Sequence, residues 1–256
     1  MSEPLTVICW RWQSPVGYRS TFGPEHVYAL KEMLRRHLHA PYRLVCVTDQ
    51  PEQLKGIETI RLWDEFRSVP SPFGAHNPSC YVRLRVFAPG AGKLFGPRLL
   101  SIDLDTVIVN DITPLVERDE DFVIWGESPA ERKLWGEAEK QYYCGAMFML
   151  KTGTRPQVYT RFDPEKTPEL AKRAKCFGSD QGVISYILGP NEATWGRKDG
   201  VFSFRKHLSP RGPEYFPEAM RVAMFHGKID PWHHRASLFP WVRRHYPLYD
   251  PKWKAA

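Results

Sequence analysis

The sequence predicts an α/β protein in which helices flank a mainly parallel central sheet. Apolar runs of about four to eight residues alternate along the chain with segments of helical periodicity, the pattern of strands joined by crossover helices. The 256 residues are 42% hydrophobic and 25% charged, which excludes a disordered, collagenous or coiled-coil chain. A chain of this length can bury roughly three quarters of its unfolded surface in one core.

The apolar runs also predict where each element lies. The predicted strands are Leu5–Trp10, Arg43–Thr48, Arg98–Asp103, Thr106–Val109, Phe122–Trp125, Ala146–Leu150, Val201–Phe204 and Val222–Phe225. The first helix is indicated by Val27, Leu30, Met33, Leu34 and Leu38 at helical spacing, after a proline at position 24 that a first turn tolerates. Further helices are predicted over residues 156–162, 167–175 and 180–188. No linker interrupts these elements, so one domain over residues 1–232 is expected, followed by an extension over 233–256.

The C-terminal part of the chain, from His226 onward, concentrates the charge of the chain, whose formal net charge is +7. Six Lys or Arg residues stand against two aspartates from His226 to Ala256, and six aromatic residues lie among them. Basic residues interleaved with Trp and Tyr suit an anionic membrane surface or a nucleic-acid backbone. Equally, the aromatic side chains could pack on the domain and leave the charges solvated, and the sequence alone does not choose between these interpretations.

The cysteines and the hydropathy bear on location. The five cysteines are odd in number and form no C-x-x-C pair, which favours free thiols in a reducing compartment. No apolar run approaches the ~18–20 residues of a membrane span, and the first ten residues lack the pattern of a signal peptide. A cytoplasmic protein is therefore expected.

Two carboxylates follow the apolar run Leu99–Ile102. Because strand side chains alternate between faces, Asp103 and Asp105 are expected on one side and Ile102 and Leu104 on the other. Two like charges at the carboxyl edge of a strand repel each other unless a cation lies between them, and open α/β sheets bind ligands at that edge. Oxygen ligands suit Mg²⁺ or Mn²⁺ next to a phosphate. Alone, D-x-D is a weak signal, and most instances are acids of loops.

Several stretches taken together strengthen the signal. They are Cys80–Phe87, Ser101–Val109 with Asp111–Leu115, Tyr143–Met147, Ser179–Gly182 and Phe225–Trp232. In this order and spacing, across about residues 81–232, the chain resembles nucleotide-sugar glycosyltransferases of the GT-A fold. It is most similar to the retaining family 8 enzymes related to glycogenin and bacterial galactosyltransferases. The resemblance implies a GT-A type domain and the transfer of a sugar from a nucleotide-sugar donor.

The resemblance also implies roles for individual residues. Asp103, Asp105 and His226 would hold Mn²⁺ (or Mg²⁺) against the donor diphosphate. Arg83, the backbone of Leu104, Gly227 and Lys228 would bind the donor. Asp180 would bind a sugar hydroxyl and Gln181 would lie beside the anomeric carbon, as the catalytic pair. The alternatives are a surface arginine at 83, a helix N-cap at 180 and a structural histidine at 226.

The chain departs from the family pattern in three places. Tyr143 and Cys144 stand near the family's sugar-binding asparagine. Asp230 stands where the family has its phosphate-binding lysine, and Lys228 is the nearest cation to supply that charge. The first strand runs into Trp10-Arg11-Trp12 without the usual acid, so Trp12 or Tyr18 is expected to stack on the nucleobase.

The expected reaction is transfer from a UDP-hexose with retention, by front-face attack at the anomeric carbon. The alternatives are a glycosyltransferase acting on modified nucleic acid, a metal-dependent nucleotide hydrolase or nucleotidyltransferase, and a non-catalytic binding protein on the same fold. A lipid-linked saccharide is the favoured acceptor, with nucleic acid as the alternative. The precedent of basic tails in the family favours peripheral attachment to an anionic membrane through residues 233–256.

Overall fold

The structure is a computed structural model that describes residues 4–18, 21–74, 77–127 and 142–254. Its strands are β1 Leu5–Arg11, β2 Tyr42–Thr48, β3 Glu58–Arg61, β4 Arg98–Ile102, β5 Thr106–Ile108, β6 Phe122–Trp125, β7 Cys144–Lys151, β8 Ala193–Trp195, β9 Val201–Ser203 and β10 Val222–Met224. Its helices are α1 Pro24–His37, α2 Gly92–Phe95, α3 Thr113–Val116, α4 Gln157–Thr160, α5 Thr167–Arg173, α6 Asp180–Leu188, α7 His234–Ser237 and α8 Pro240–His245. A 3₁₀ helix spans Tyr81–Phe87 and a π-helical turn spans Phe204–Leu208.

The central sheet has seven strands in the order β3-β2-β1-β4-β7-β6-β8. Neighbours pair in parallel except along β7, which runs antiparallel to both β4 and β6. A smaller sheet has the order β5-β10-β9, with β10 antiparallel to β5 and parallel to β9. The predicted α/β class with a mainly parallel sheet is confirmed.

Both faces of the central sheet are covered by apolar side chains. Val7 and Cys9 of β1 belong to one core cluster, whereas Ile8 and Trp10 belong to the cluster on the opposite face. All seven residues of β1 are buried. A strand buried on both faces is apolar throughout rather than alternating, and for this reason the sequence predicts it as a continuous run.

The first helix shows the expected amphipathic packing. Pro24 occupies the first turn, and Val27, Leu30, Met33 and Leu34 are fully buried against the sheet. Their spacing of three and four residues places them on one face of the helix. On the helix surface, Glu32 accepts hydrogen bonds from both Arg35 and Arg36, which hold the pKa of its carboxyl at about 2.

The sequence misplaces or misses a few elements. Strand β4 ends at Ile102 rather than Asp103, and Phe204 begins the π-helical turn instead of ending a strand. Strands β3 and β8 are not predicted at all, because each is a short edge strand without a long apolar run. Edge strands are only half buried, so their sequences carry little hydrophobic signal.

The C-terminal segment packs on the domain. Phe239, Trp241, Val242 and Tyr246 are buried in the same core cluster as β1 and α1. The basic residues Arg243, Arg244, Lys252 and Lys254 are exposed. The aromatic side chains of Trp241 and Tyr246 are therefore unavailable for contacts with a membrane or a base. The boundary at 232/233 stays a prediction, and residues 1–3 and 255–256 of the two predicted segments lie outside the described residues.

Two histidines lie where this segment packs on α1, and the pH dependence of stability tests this packing. The rings of His37 and His245 lie 6.2 Å apart between centroids. Burial, followed by the neighbouring His37, Arg244 and Arg36, lowers the pKa of His245 to about 4, and burial also lowers the pKa of His37. Between pH 4 and 6.5 the unfolded chain therefore binds more protons than the folded one, so stability falls as the pH falls through this window.

We expect His245→Gln to flatten this pH dependence, since the substituted side chain does not titrate. Urea unfolding at pH 7 and pH 5 should show a loss for the wild type that exceeds the loss for the variant by about 1 kcal/mol. The exposed His234→Gln is the matched control and should behave like the wild type. An equal pH dependence in His245→Gln would show that the segment does not bury this ring.

Across the part of the chain that the structure describes, no helix is long and apolar enough to cross a membrane.

Candidate functional site

The two predicted carboxylates lie where the chain crosses from the large sheet to the small one. Asp103 follows the last residue of β4, and Asp105 precedes the first residue of β5. The Asp103 N–H donates to the carbonyl of Ala146 at 2.8 Å, and the Asp105 carbonyl accepts from the Phe225 N–H at 3.0 Å. Leu104 between them is 2% exposed and packs in the core, so the predicted alternation holds, although these residues form a crossover rather than a strand.

Arg83 occupies the centre of this site, and its side chain is buried. Its Nη1 lies 3.0 Å from Asp103 Oδ1, and its Nε lies 3.2 Å from Asp180 Oδ2 as an ion pair without hydrogen-bond geometry. Its Nη2 donates to the carbonyl of Gly145. The guanidinium also lies over the Trp10 ring, 5.6 Å from its centroid. Arg83 is 5% exposed, which excludes the alternative of a surface arginine.

This group holds one buried cation between two carboxylates. Burial alone would lower the pKa of Arg83, but Asp103 and Asp180 outweigh it and the pKa is raised. Burial, reinforced by the charge of Asp180, raises the pKa of Asp103 to about 6 despite the opposing effect of Arg83. An excess of negative charge in a partly desolvated site attracts groups that donate hydrogen bonds, such as hydroxyls, as well as cations.

The start of α6 places the predicted catalytic pair beside Arg83. Ser179, rather than Asp180, is the N-cap residue, and Asp180 is the first residue of the helix. A side chain on Gly145 would bring its Cβ within 2.8 Å of Asp180 Oδ2, so glycine is what lets β7 approach this carboxylate. The Gly145 N–H donates to Gln181 Oε1 at 3.3 Å. Asp103, Asp180 and Gln181 thus meet around Arg83 and Gly145.

Tyr143 and Cys144 stand near the place of the sugar-binding asparagine of the family 8 enzymes, and the two residues differ in their surroundings from each other. The Tyr143 hydroxyl donates to the carbonyl of Gly189 at 2.7 Å and accepts from the Glu192 N–H at 2.8 Å. Tyr143 therefore ties β7 to the segment after α6. Cys144 lies near the carboxylates of Asp103, Asp105 and Asp180. Burial is the main reason that the pKa of its thiol is raised to about 12. At neutral pH this residue offers the site an uncharged thiol in place of an amide.

His226 follows β10 and adjoins the Asp105 backbone through the Phe225 hydrogen bond. Its Nε2 lies 2.6 Å from Ser203 Oγ, and its ring lies 5.5 Å from that of Trp125 between centroids. Burial lowers the pKa of His226 to about 4, with further lowering from Arg205, Lys206 and His207. The imidazole is therefore neutral at pH 7, the form that binds a metal ion.

The ligand types of Asp103, Asp105 and His226 fit Mn²⁺, which accepts carboxylate oxygens and neutral imidazole. The strand arrangement also places Asp105 and His226 next to each other. Their side chains, however, have protein partners: Arg83 for Asp103 and Ser203 for His226. In the described ranges, no three His, Cys, Asp or Glu side chains form a group that could hold an ion. Holding an ion with all three residues would therefore require side-chain positions other than those observed.

The end of β1 carries the residues expected near a nucleobase. Trp12 is half buried, and its ring lies 6.4 Å from that of Trp10 between centroids. Tyr18 lies on the following loop, where its N–H donates to the carbonyl of Pro15. Arg11, between the two tryptophans, is buried and donates to Gln50 and Gln53 at 2.9 and 2.6 Å.

The segment Phe225–Trp232 has an exposed cation, Lys228, and a buried acidic residue, Asp230. Gly227 has a φ of +92°, and Lys228 is exposed. Asp230 is fully buried, and its Oδ2 lies 3.4 Å from His233 Nε2. The residue at the place of the family's lysine is thus a buried acidic side chain. Among the predicted donor-binding residues of this segment, Lys228 is the cation.

Sequence reasoning misses three residues that shape the site. Trp10 donates from Nε1 to Ser101 Oγ at 2.8 Å while its ring supports Arg83. Ser203 fixes the His226 ring. Both Trp10 and Ser101 lie within apolar strands and look like core residues, and Ser203 stands alone in a short strand. No local pattern distinguishes them from structural residues.

Comparison with solved structures places this architecture among glycosyltransferases. The galactosyltransferase LgtC, in complex with donor and acceptor sugar analogues, matches with a TM-score of 0.58 at 14% identity over 93% of each chain. The apo form of the glycosyltransferase GlyE of Streptococcus pneumoniae TIGR4 matches with a TM-score of 0.55 at 11% identity, covering 94% of this chain and 60% of that one. The bifunctional glycosyltransferase WbbM matches with a TM-score of 0.56 at 12% identity, covering 95% of this chain and 50% of that one.

The chain has the GT-A glycosyltransferase fold. This confirms the fold that the order of the sequence motifs predicts. No protein-family model matches the sequence, and no curated protein matches it by sequence. Within the GT-A fold, Asp103 and Asp105 lie at the carboxyl end of β4, the edge where open α/β sheets bind their ligands.

Proposed function

We propose that this protein is a glycosyltransferase that transfers a hexose from a nucleoside diphosphate sugar, UDP-hexose being favoured, to an acceptor with retention. The observation that carries the proposal is the buried Arg83 held between Asp103 and Asp180 at the crossover between the sheets. The chain shares its fold with glycosyltransferases. The carboxylates of Asp103 and Asp180 offer oxygen acceptors for sugar hydroxyls in a partly desolvated site.

In the proposed reaction, Asp180 accepts hydrogen bonds from hydroxyls of the donor sugar, and Arg83 fixes the orientation of its carboxylate. Gln181, held by the Gly145 N–H, lies beside the anomeric carbon. Because Asp180 is already engaged by Arg83, we assign it to positioning rather than nucleophilic attack. The acceptor hydroxyl then attacks on the face of the leaving group, and the departing phosphate takes its proton. A stable glycosyl adduct on Asp180 would contradict this route.

The leaving diphosphate develops negative charge and needs positive partners. Lys228 lies exposed after Gly227 and is one such partner. Asp103, Asp105 and His226 would hold Mn²⁺ (or Mg²⁺), which would supply further positive charge beside the phosphates when bound. Trp12 or Tyr18 would stack on the base, and the backbone of Leu104 would face the ribose.

The test is hydrolysis of a panel of nucleotide sugars without acceptor, with Mn²⁺ or with chelator. UDP-glucose, UDP-galactose, UDP-N-acetylglucosamine and GDP-mannose cover two bases and several sugars. We expect slow, Mn²⁺-dependent release of the nucleoside diphosphate. Release of the monophosphate would instead indicate a nucleotide hydrolase. The absence of both turnover and nucleotide binding would indicate a binding protein on this fold.

We further propose that residues 233–256 serve the acceptor, favoured as a lipid-linked saccharide at an anionic membrane surface. The support is the exposure of four cations, Arg243, Arg244, Lys252 and Lys254, on a segment whose Phe239, Trp241 and Tyr246 side chains are buried. Such cations attract phosphate-rich surfaces through interactions that salt screens over about 8 Å.

Replacing these four cations with glutamine should lower transfer to the true acceptor several-fold and leave donor hydrolysis unchanged. Binding to vesicles that contain phosphatidylserine should weaken as well, and added salt should weaken wild-type binding. The matched control replaces Lys166, Lys172, Arg173 and Lys175, which are exposed on and around α5. Equal loss of hydrolysis and transfer would contradict the proposal, and a salt-sensitive shift of RNA or DNA without vesicle binding would favour a nucleic-acid acceptor.

A further inference from the structure

A group of three exposed cations lies beside His226, and we call it the 205–228 patch. It comprises Arg205 and Lys206 of the π-helical turn and Lys228 after Gly227. A Cβ added to Gly227 would lie 3.4 Å from both Cδ and Nη1 of Arg205, so the arginine side chain lies against the glycine backbone. Two segments that are distant in sequence therefore place their cations on one surface.

The π-helical turn is fixed by the residues around the two cations. Ser203 Oγ accepts from the Lys206 N–H at 2.9 Å, and the Ser203 N–H donates to His207 Nδ1 at 3.0 Å. His207 is 2% exposed, and its Nε2 lies 3.5 Å from Glu127 Oε1. His207 lies on the buried side of the turn, and its contacts fix the turn in place. Arg205 and Lys206 are therefore held at the surface in a defined position.

The patch carries more positive charge than its neighbours neutralise. Lys206 Nζ lies 3.6 Å from Glu127 Oε1. Among the described residues, no carboxylate lies within 4.0 Å of the Arg205 guanidinium or of Lys228 Nζ. Three cations against one carboxylate leave a surface suited to a small, highly charged anion.

The position of the patch indicates which anion. His226 adjoins Asp105 through the Phe225–Asp105 backbone hydrogen bond, so the patch borders the carboxyl edge of the sheet. Arginine donates in a fork that matches phosphate oxygens, and lysine acts as a point charge. Asp230, the one acidic residue of the 225–232 segment, is fully buried and lies 3.4 Å from His233, so it adds no exposed carboxylate to the patch.

We propose that Arg205 and Lys206, together with Lys228, bind the diphosphate group of the donor and neutralise it as the sugar leaves. This rests on the proposed glycosyltransferase function for the identity of the ligand, but the diphosphate chemistry follows from the patch itself. The Arg205 side chain lies against the backbone of Gly227, the residue that precedes Lys228.

The test is binding of defined probes to the full chain by calorimetry, with and without Mn²⁺. The probes are UDP, GDP, ADP, uridine and inorganic pyrophosphate. We expect Arg205→Gln/Lys206→Gln to weaken binding of the diphosphates and of pyrophosphate by about tenfold or more and to leave binding of uridine unchanged. The dependence of affinity on salt should also become less steep. The matched control is Lys172→Gln/Arg173→Gln, and thermal melting checks that both variants fold.

The outcomes separate this inference from the function on which it rests. If the double variant binds UDP and pyrophosphate as tightly as the wild type, the patch is not a diphosphate site. If the wild type binds pyrophosphate through the patch but none of the nucleotides, the diphosphate site stands and the glycosyltransferase proposal falls. If Lys172→Gln/Arg173→Gln weakens binding equally, general surface charge explains the effect and the inference is wrong.

Discussion

Arg83→Met is expected to abolish sugar transfer and to lower the free energy of unfolding by about 3–5 kcal/mol. The buried guanidinium contacts Asp103, Asp180 and the carbonyl of Gly145. Without it, two carboxylates remain in a partly desolvated site with no cation between them, and Asp180 loses the group that orients it. Urea unfolding gives the stability, and donor hydrolysis gives the activity.

The pH dependence identifies the cause of this loss. Without the guanidinium, the pKa of Asp103 rises further above its value in the unfolded chain, so the folded variant binds more protons. Its deficit relative to the wild type should therefore shrink as the pH falls from 7 towards 4. Arg85→Met on the same 3₁₀ helix is the matched control, because Arg85 is half exposed and lies over the Trp63 ring. A deficit that does not change with pH would contradict the bridging role.

Asp103→Asn/Asp105→Asn is expected to reduce donor turnover by about a thousandfold or more while the protein stays folded. Both residues lie at the open crossover after β4, and removing the Asp103 charge still leaves Arg83 paired with Asp180. The destabilisation should therefore be smaller than that of Arg83→Met. Single-turnover assays across a Mn²⁺ titration measure the activity, and calorimetric titration of Mn²⁺ measures binding without turnover.

The control for this pair is Asp64→Asn, whose side chain is almost fully exposed. His226→Ala should weaken metal dependence less severely than the double variant, because it removes one of three proposed ligands. If the double aspartate variant keeps near-normal turnover in the presence of chelator, neither carboxylate holds a metal needed for the reaction.

The sequence alone is sufficient to predict the α/β class, most strands and the position of the crossover carboxylates. These features depend on neighbours within a few positions of each other. The apolar run of β1 is buried on both faces, and the alternation around Leu104 persists where the strand itself ends. The order of short motifs then predicts the GT-A fold, although none of the motifs is specific alone.

Only the tertiary structure reveals which charges meet. Arg83 and Gly145 are 62 residues apart in the chain, yet they share a hydrogen bond beside Asp180. The same holds for His226 with Ser203 and for Arg205 against Gly227. Local sequence cannot distinguish the buried Arg83 from the exposed Lys228, or the internal Asp230 from a surface acid, because burial and ion pairing depend on segments that become neighbours only when the sheet forms. The tertiary structure also determines how the C-terminal segment is placed. Its aromatic side chains pack in the core that contains β1 and α1, and its basic side chains remain exposed to water.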